Sequence, residues 1–134
     1  MSEMEYKTDE RTKNLTLRDI HVGDWVQVWS ETTERYSPPM KVIQICDDGT
    51  VYLIGSEEER PTPWEENIKN IDALVVTEEL LRGFGLVFKS SGNMVELYYC
   101  GNFICKIGLP IFMHNLCDYF ANYVPFINLE WKGV

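Results

Sequence analysis

Much that would declare a chemistry is missing from this chain. No apolar run approaches the roughly 18 to 20 residues that a membrane-spanning helix needs. Residues 1–14 are polar and of mixed charge, without the basic start and apolar middle of a secretory signal. A cytoplasmic protein with no membrane contact is the expectation. None of the four cysteines, Cys46, Cys100, Cys105 and Cys117, belongs to a Cys-x-x-Cys pair, so free thiols are expected. There is no Gly-x-x-x-x-Gly-Lys-Ser/Thr phosphate loop, no Gly-x-Gly-x-x-Gly, no His-Glu-x-x-His and no Gly-x-Ser-x-Gly. Histidine is scarce: His21 and His114 are the only two, which restricts acid and base chemistry near neutral pH. These absences remove the motif-bearing enzyme classes and favour a non-catalytic protein without a cofactor.

Basic residues are outnumbered, with 12 Lys and Arg against 21 Asp and Glu for a net charge of −9. Between residues 47 and 79, ten acids face only Arg60 and Lys69, a balance of −8 within one quarter of the chain. Such a surface repels phosphate backbones, so direct binding of DNA or RNA by counterion release is not expected. Asp47, Asp48, Glu57, Glu58, Glu59, Glu65 and Glu66 read most simply as a solvated face. The sharper reading is an inhibitor that mimics nucleic acid and occupies a basic host protein.

What is present is apolar mass. With 134 residues, 45% hydrophobic and 13% aromatic, the chain is long enough to bury a core without staples. We expect an α+β protein: a tail over residues 1–14, then one compact domain over 15–134. Within it, residues 15–76 are expected as a small SH3-like β-barrel half and 77–134 as an α+β half.

Residues 15–22 fit neither helical nor strand spacing and read as an extended lead-in. Residues 24–30 alternate as a strand, with Val26 and Val28 on one side and Trp25, Gln27 and Trp29 on the other. Residues 41–46 and 50–55 form a hairpin around Asp48-Gly49, a strong turn signal. With Asp47 facing Thr50, Ile43, Ile45, Tyr52 and Ile54 share one face; Val42, Gln44, Cys46, Val51 and Leu53 share the other. Both faces are apolar, so the C-terminal half is expected to cover the second one. Residues 56–66 read as an acidic loop broken by Pro61 and Pro63, and residues 67–76 as a short strand.

The joint between the halves is Thr77-Glu78-Glu79-Leu80-Leu81-Arg82-Gly83-Phe84-Gly85. Thr77 is an N-cap, Glu78 and Glu79 favour the positive end of the helix, and Gly83 or Gly85 ends it. Leu80, Leu81 and Phe84 are expected to face inward. A strand over 86–90, a turn at Ser91-Gly92-Asn93 and a second hairpin about Gly101-Asn102 follow. That hairpin would place Tyr98, Cys100, Phe103, Cys105 and Ile107 on one face and Val95, Leu97, Tyr99 and Ile104 on the other. Pro110 suits the first turn of a helix over 111–124. Its inner stripe is Phe112, Leu116, Tyr119, Phe120 and Tyr123, with His114, Asn115, Asp118 and Asn122 opposite. Residues 126–131 read as a last strand.

Two constellations carry candidate chemistry. Cys100, Cys105, His114 and Cys117 are zinc-ligand types, although packed thiols account for them more simply. Trp25, Gln27, Trp29, Tyr36 and Trp64 are the makings of an aromatic groove for an extended peptide, although rings covering the outer face of the barrel account for them more simply. A small enzyme, the remaining alternative, would show a polar pocket with His114 or paired carboxylates of shifted pKa.

The succession Gly23-Asp24-Trp25-Val26, Lys41-Val42-Ile43-Gln44-Ile45, Ile68 to Ile71, Thr77-Glu78-Glu79-Leu80-Leu81 with Phe84, and His114-Asn115-Leu116-Cys117-Asp118-Tyr119-Phe120 resembles short uncharacterised proteins of Bacteroides phages and prophages. The likeness spans residues 15 to 131 and departs from the family pattern at Val75-Val76, where a proline is usual, and at Cys117-Asp118. It implies a phage or prophage setting in a bacterial host cell, possible association with the virion, and no catalytic residues. A non-catalytic protein-binding or structural role, with a protein partner, is the resulting expectation.

Overall fold

The computed structural model describes residues 12–55 and 63–133. Six strands form the first sheet: β1 (Trp25–Ser30), β2 (Arg35–Tyr36), β3 (Met40–Ile45), β4 (Thr50–Gly55), β5 (Trp64–Asn67) and β6 (Ile71–Asp72). Their order is β2-β1-β3-β4-β5, all antiparallel neighbours, and β6 returns to pair with β1. The sheet thereby curls into a half-barrel. After α1 (Glu78–Gly83) comes a second antiparallel sheet of β7 (Val87–Ser91), β8 (Met94–Tyr99) and β9 (Asn102–Gly108), then α2 (Met113–Tyr123). The fold is mixed α+β and mostly strand.

The Asp48-Gly49 hairpin forms, with Gly49 at φ 96°, but its register departs from expectation. Cys46 N–H bonds Thr50 O, and a bulge at Ile43 separates the Val42–Leu53 pair from Gln44–Tyr52. An extra residue in one strand reverses the sidedness beyond it. Ile45 therefore joins Val42, Val51 and Leu53 on the inner face, while Gln44 turns outward with Tyr52 and Ile54. The second hairpin differs likewise. Its turn is Cys100-Gly101, both at positive φ, and a shift after Leu97 pairs Leu97 with Cys105. Cys105 and Ile107 consequently lie with Val95 and Leu97, and only Tyr98 and Phe103 stay on the other face, edge to face at 5.7 Å.

Three expected boundaries move. Trp64, Glu65 and Glu66 belong to a strand, not a loop, and residues 68–70 form a 3-10 turn ahead of β6. Pro110 precedes the last helix without entering it, because Phe112 is held extended by a bridge to Val75 and Met113 N–H bonds Leu74 O. Residues 126–131 make no strand; Ile127, Leu129 and Trp131 turn inward along an extended segment outside both sheets. Of the expected tail, residues 1–11 lie outside the described residues. Its end is docked: Thr12 N–H bonds the Tyr36 hydroxyl, and Ala73 N–H bonds Lys13 O.

The joint behaves as the residues dictate. Thr77 Oγ1 accepts the Leu80 amide at 3.1 Å, Leu80, Leu81 and Phe84 are buried, and Gly85 takes the left-handed conformation that closes the helix. On α2 the buried stripe is Met113, Leu116, Cys117 and Phe120, continued by Val124, whereas Tyr123 faces solvent and Tyr119 sits at the margin. The i, i+3, i+4, i+7 spacing from Met113 has a narrower centre than the aromatic residues alone suggested.

The interior has two lobes. Leu15, Ile20, Val26, Val28, Val42, Val51, Leu53, Ile71 and Ala73 fill the half-barrel. The second lobe gathers α1, the inner face of β7–β9, α2, the C-terminal segment and Trp25. Successive residues of β1 thus serve different lobes, as opposite faces of a strand must. The C-terminal half meets the barrel through β1, residues 74–76 and Lys41 at the start of β3, and leaves Gln44 exposed on the outer face of the hairpin.

Candidate functional site

Both histidines of the chain, 93 positions apart, come together where α2 meets the lead-in to β1. Asp24 is fixed by its backbone: Gly23 N–H bonds Val42 O, Val42 N–H bonds Asp24 O, and Asp24 N–H bonds His21 O at 3.0 Å. That turn aims its carboxylate back at His21, whose backbone N–H it accepts at 2.8 Å. From α2, Asp118 reaches the same point. His21 Nδ1 lies 3.3 Å from Asp118 Oδ1 and 3.9 Å from Asp24 Oδ2.

Asp24 is only 2% exposed. Burial, and then the hydrogen bond with the Asp118 carboxyl, push its pKa up to about 8. Two carboxyl groups share a hydrogen bond only when one holds a proton, and burial disfavours two adjacent negative charges. Near neutral pH this favours the protonated form of Asp24. His114, one turn before Asp118, is 4% exposed and stacks on Phe112 at 5.8 Å. Its Nδ1 has no hydrogen-bond partner, and burial lowers its pKa, which favours the neutral ring.

A cleft of about 420 Å³ opens beside this cluster, lined by Gly23, Lys41, Cys117, Phe120, Pro125, Ile127 and Leu129 among others. Its walls include the chain neighbours of both carboxylates but neither carboxylate. Lys41 lies 3.5 Å from Glu130. No family model, curated protein or solved structure matches the chain.

The aromatic groove expected from Trp25, Gln27, Trp29, Tyr36 and Trp64 is not assembled. Trp25 is buried, donates from Nε1 to Leu129 O at 3.2 Å and meets Phe84 edge to face. Gln27 donates to Ala73 O, and Trp29 is buried against Tyr36, whose hydroxyl bonds Asp72. Trp64 stands apart on β5, 56% exposed, its Nε1 bonded to Glu66. Rings expected to line a surface instead form the interior because β1 is covered on both faces.

The possible zinc set also comes apart. Cys100 is exposed in its turn, Cys105 is buried under the second sheet and Cys117 is buried beneath α2. Among the described residues no three of Cys100, Cys105, His114 and Cys117 bring donor atoms within 4.8 Å of one another; His21, Asp24 and Asp118 do. Burial raises the Cys105 thiol and pushes that of Cys117 up to about 12, which keeps both protonated.

Of the acidic surface, Asp47, Asp48 and Glu65 are exposed and Glu66 is engaged with Trp64 and Asn70. Glu65 raises the pKa of the adjacent Tyr52 phenol. Glu57, Glu58 and Glu59 lie outside the described residues. A different apolar surface runs along the outside of α2 and its exit, where Tyr123 is 72% and Phe126 82% exposed, with the Tyr119 ring 5.1 Å from that of Tyr123.

The His21–Asp24–Asp118 cluster escaped sequence reasoning. Its only trace there is spacing: His21 with Asp24 at i, i+3 and His114 with Asp118 at i, i+4.

Proposed function

We propose that this chain is a non-catalytic protein-binding or structural protein of phage or prophage origin, contacting its partner through the outer side of α2 and the segment leaving it. The observation that carries this reading is the exposure of Tyr123 and Phe126 beside Tyr119. Large rings left in water next to a mostly apolar cleft are the composition of an interface centre, where aromatic anchors supply most of the binding energy. The half-barrel is read as SH3-like, supported by a 3-10 turn ahead of a last strand that returns to the first. The phage setting rests on the sequence resemblance, whose Thr-Glu-Glu-Leu-Leu motif opens α1 and whose His-to-Phe motif lies within α2. Against the enzyme alternative, neither carboxylate of the pair lines the cleft and Asp24 is almost wholly buried.

The test is affinity capture from host lysate with the wild type and with a Tyr123→Ser/Phe126→Ser variant, both shown to be folded by circular dichroism. The proposal expects a stoichiometric protein that the wild type retains and the variant loses. Equal recovery by both, or no specific protein with either, overturns it.

The exposed edge of Asp47, Asp48 and Glu65 favours a second reading, an acidic inhibitor that occupies a basic host protein. Charge-driven contacts between exposed groups weaken as the Debye length shrinks. This reading expects capture that collapses between low and high salt, and salt-independent capture contradicts it.

A further inference from the structure

We propose that His21, Asp24 and Asp118 form a binding site for a first-row divalent transition-metal ion that ties α2 to the lead-in of β1. The three donor atoms, one imidazole nitrogen and two carboxylate oxygens, all lie within 4.8 Å of one another. Metal–nitrogen and metal–oxygen bonds of ~2.1 Å place neighbouring ligands of a tetrahedral shell about 3.4 Å apart. The separations of 3.3 and 3.9 Å from His21 Nδ1 bracket that value.

The charge is also right. Two carboxylates match a divalent cation, and a mixed imidazole and carboxylate set suits zinc, cobalt, iron or manganese better than magnesium, which prefers oxygen ligands and retained water. Among the described residues no lysine or arginine pairs with either carboxylate; His21 alone reaches them. A cation between them offsets the cost of holding two acids side by side where Asp24 is buried.

A second observation, independent of the triad, points to a ligand. His114 is almost wholly buried, sits one turn before Asp118 on the same side of α2, and leaves Nδ1 without a partner. Buried polar nitrogens are ordinarily satisfied. Water held on an ion at the triad supplies a donor for that nitrogen and completes the shell. Access is open, since the His21 side chain is 67% exposed and that of Asp118 31%.

The experiment uses the full chain stripped with chelator and dialysed, titrated with Zn²⁺ by calorimetry and with Co²⁺ by visible absorption. The proposal expects one equivalent bound, a rise in Tm on loading, and cobalt ligand-field bands without a sulfur-to-metal charge-transfer band. Asp118→Asn and His21→Ala, conservative or exposed changes, should each weaken binding at least tenfold, whereas Cys46→Ser and Cys100→Ser should leave it unchanged. Absence of stoichiometric binding to the folded wild type, undiminished binding by both Asp118→Asn and His21→Ala, or a thiolate signature in the cobalt spectrum overturns the assignment.

Discussion

Gly83→Ala gives a prediction in which the usual sign reverses. Within an exposed helix, replacing Gly by Ala stabilises by about 1 kcal/mol, because Ala has the higher helix propensity. Gly83 lies in α1, yet a Cβ there would fall inside the Trp131 ring, closer than 3.0 Å to Cζ3, Cη2 and Cε3. The ring has little room to yield. It stands edge to face on Phe84 at 5.3 Å, Phe84 stands so on Trp25 at 5.2 Å, and Lys132 N–H is bonded to Gly83 O at 2.7 Å. Overpacking costs about 1 to 3 kcal/mol, and displacing an aromatic pair a further 0.5 to 1.5, roughly. Net of the propensity gain, we expect a loss of about 1 to 3 kcal/mol. Urea unfolding followed by circular dichroism should show it as a midpoint lower by roughly 1 M, given slopes of about 1 to 3 kcal/mol/M. In a Trp131→Ala background the collision is gone, so the same change should be neutral or stabilising, and the double-mutant cycle should show coupling. Gly83→Ala as stable as the wild type, with no coupling to Trp131, refutes the packing of the C-terminal segment on α1.

The remaining predictions concern protons, thiols and rings. Asp24 has a folded-state pKa raised to about 8, so it contributes stability that is complete below the unfolded value of about 3.9 and is lost as pH rises through about 8. In chelator-containing buffer, thermal melts should therefore show the wild type losing stability relative to Asp24→Asn from pH 5 to 9; parallel curves contradict the shared proton. The exposed Cys100 should alkylate rapidly in the native protein, while Cys105 and Cys117, buried and kept protonated, should react only on unfolding. Mass spectrometry after timed iodoacetamide decides, and early labelling of Cys117 contradicts the buried position of α2. Iodide should quench a red-shifted part of the tryptophan emission that Trp64→Phe largely removes, since Trp25 and Trp29 are buried and Trp131 is half-buried against Phe84; quenching unaffected by Trp64→Phe contradicts the exposed position of Trp64.

Local chemistry was legible where a single residue dictates a conformation. Thr77 and the Asp48-Gly49 turn each determine their surroundings through one hydrogen bond or one backbone angle. Sidedness was legible only up to the first irregularity. The bulges at Ile43 and after Leu97 leave no mark in composition, yet each moves every later side chain to the opposite face. The aromatic residues misled for a related reason. Trp25 and Trp29 read as an outer surface, but β1 lies between two lobes and has none, whereas Tyr123 read as core and remains in water. The cluster of His21, Asp24 and Asp118 depends on α2 crossing the start of β1, a long-range docking that spacing along the chain does not encode.

The central claim is that β1 binds the two lobes into one cooperative body, Val26 and Val28 filling the half-barrel while Trp25 fills the other side. Native-state hydrogen exchange tests it most directly, because slow amides in β4 and β8 report the opening of each lobe separately. The account predicts one shared free energy of opening and one denaturant dependence for the slowest amides of both strands. Protection in β4 that persists under conditions where β8 has fully exchanged, or the reverse, would contradict it.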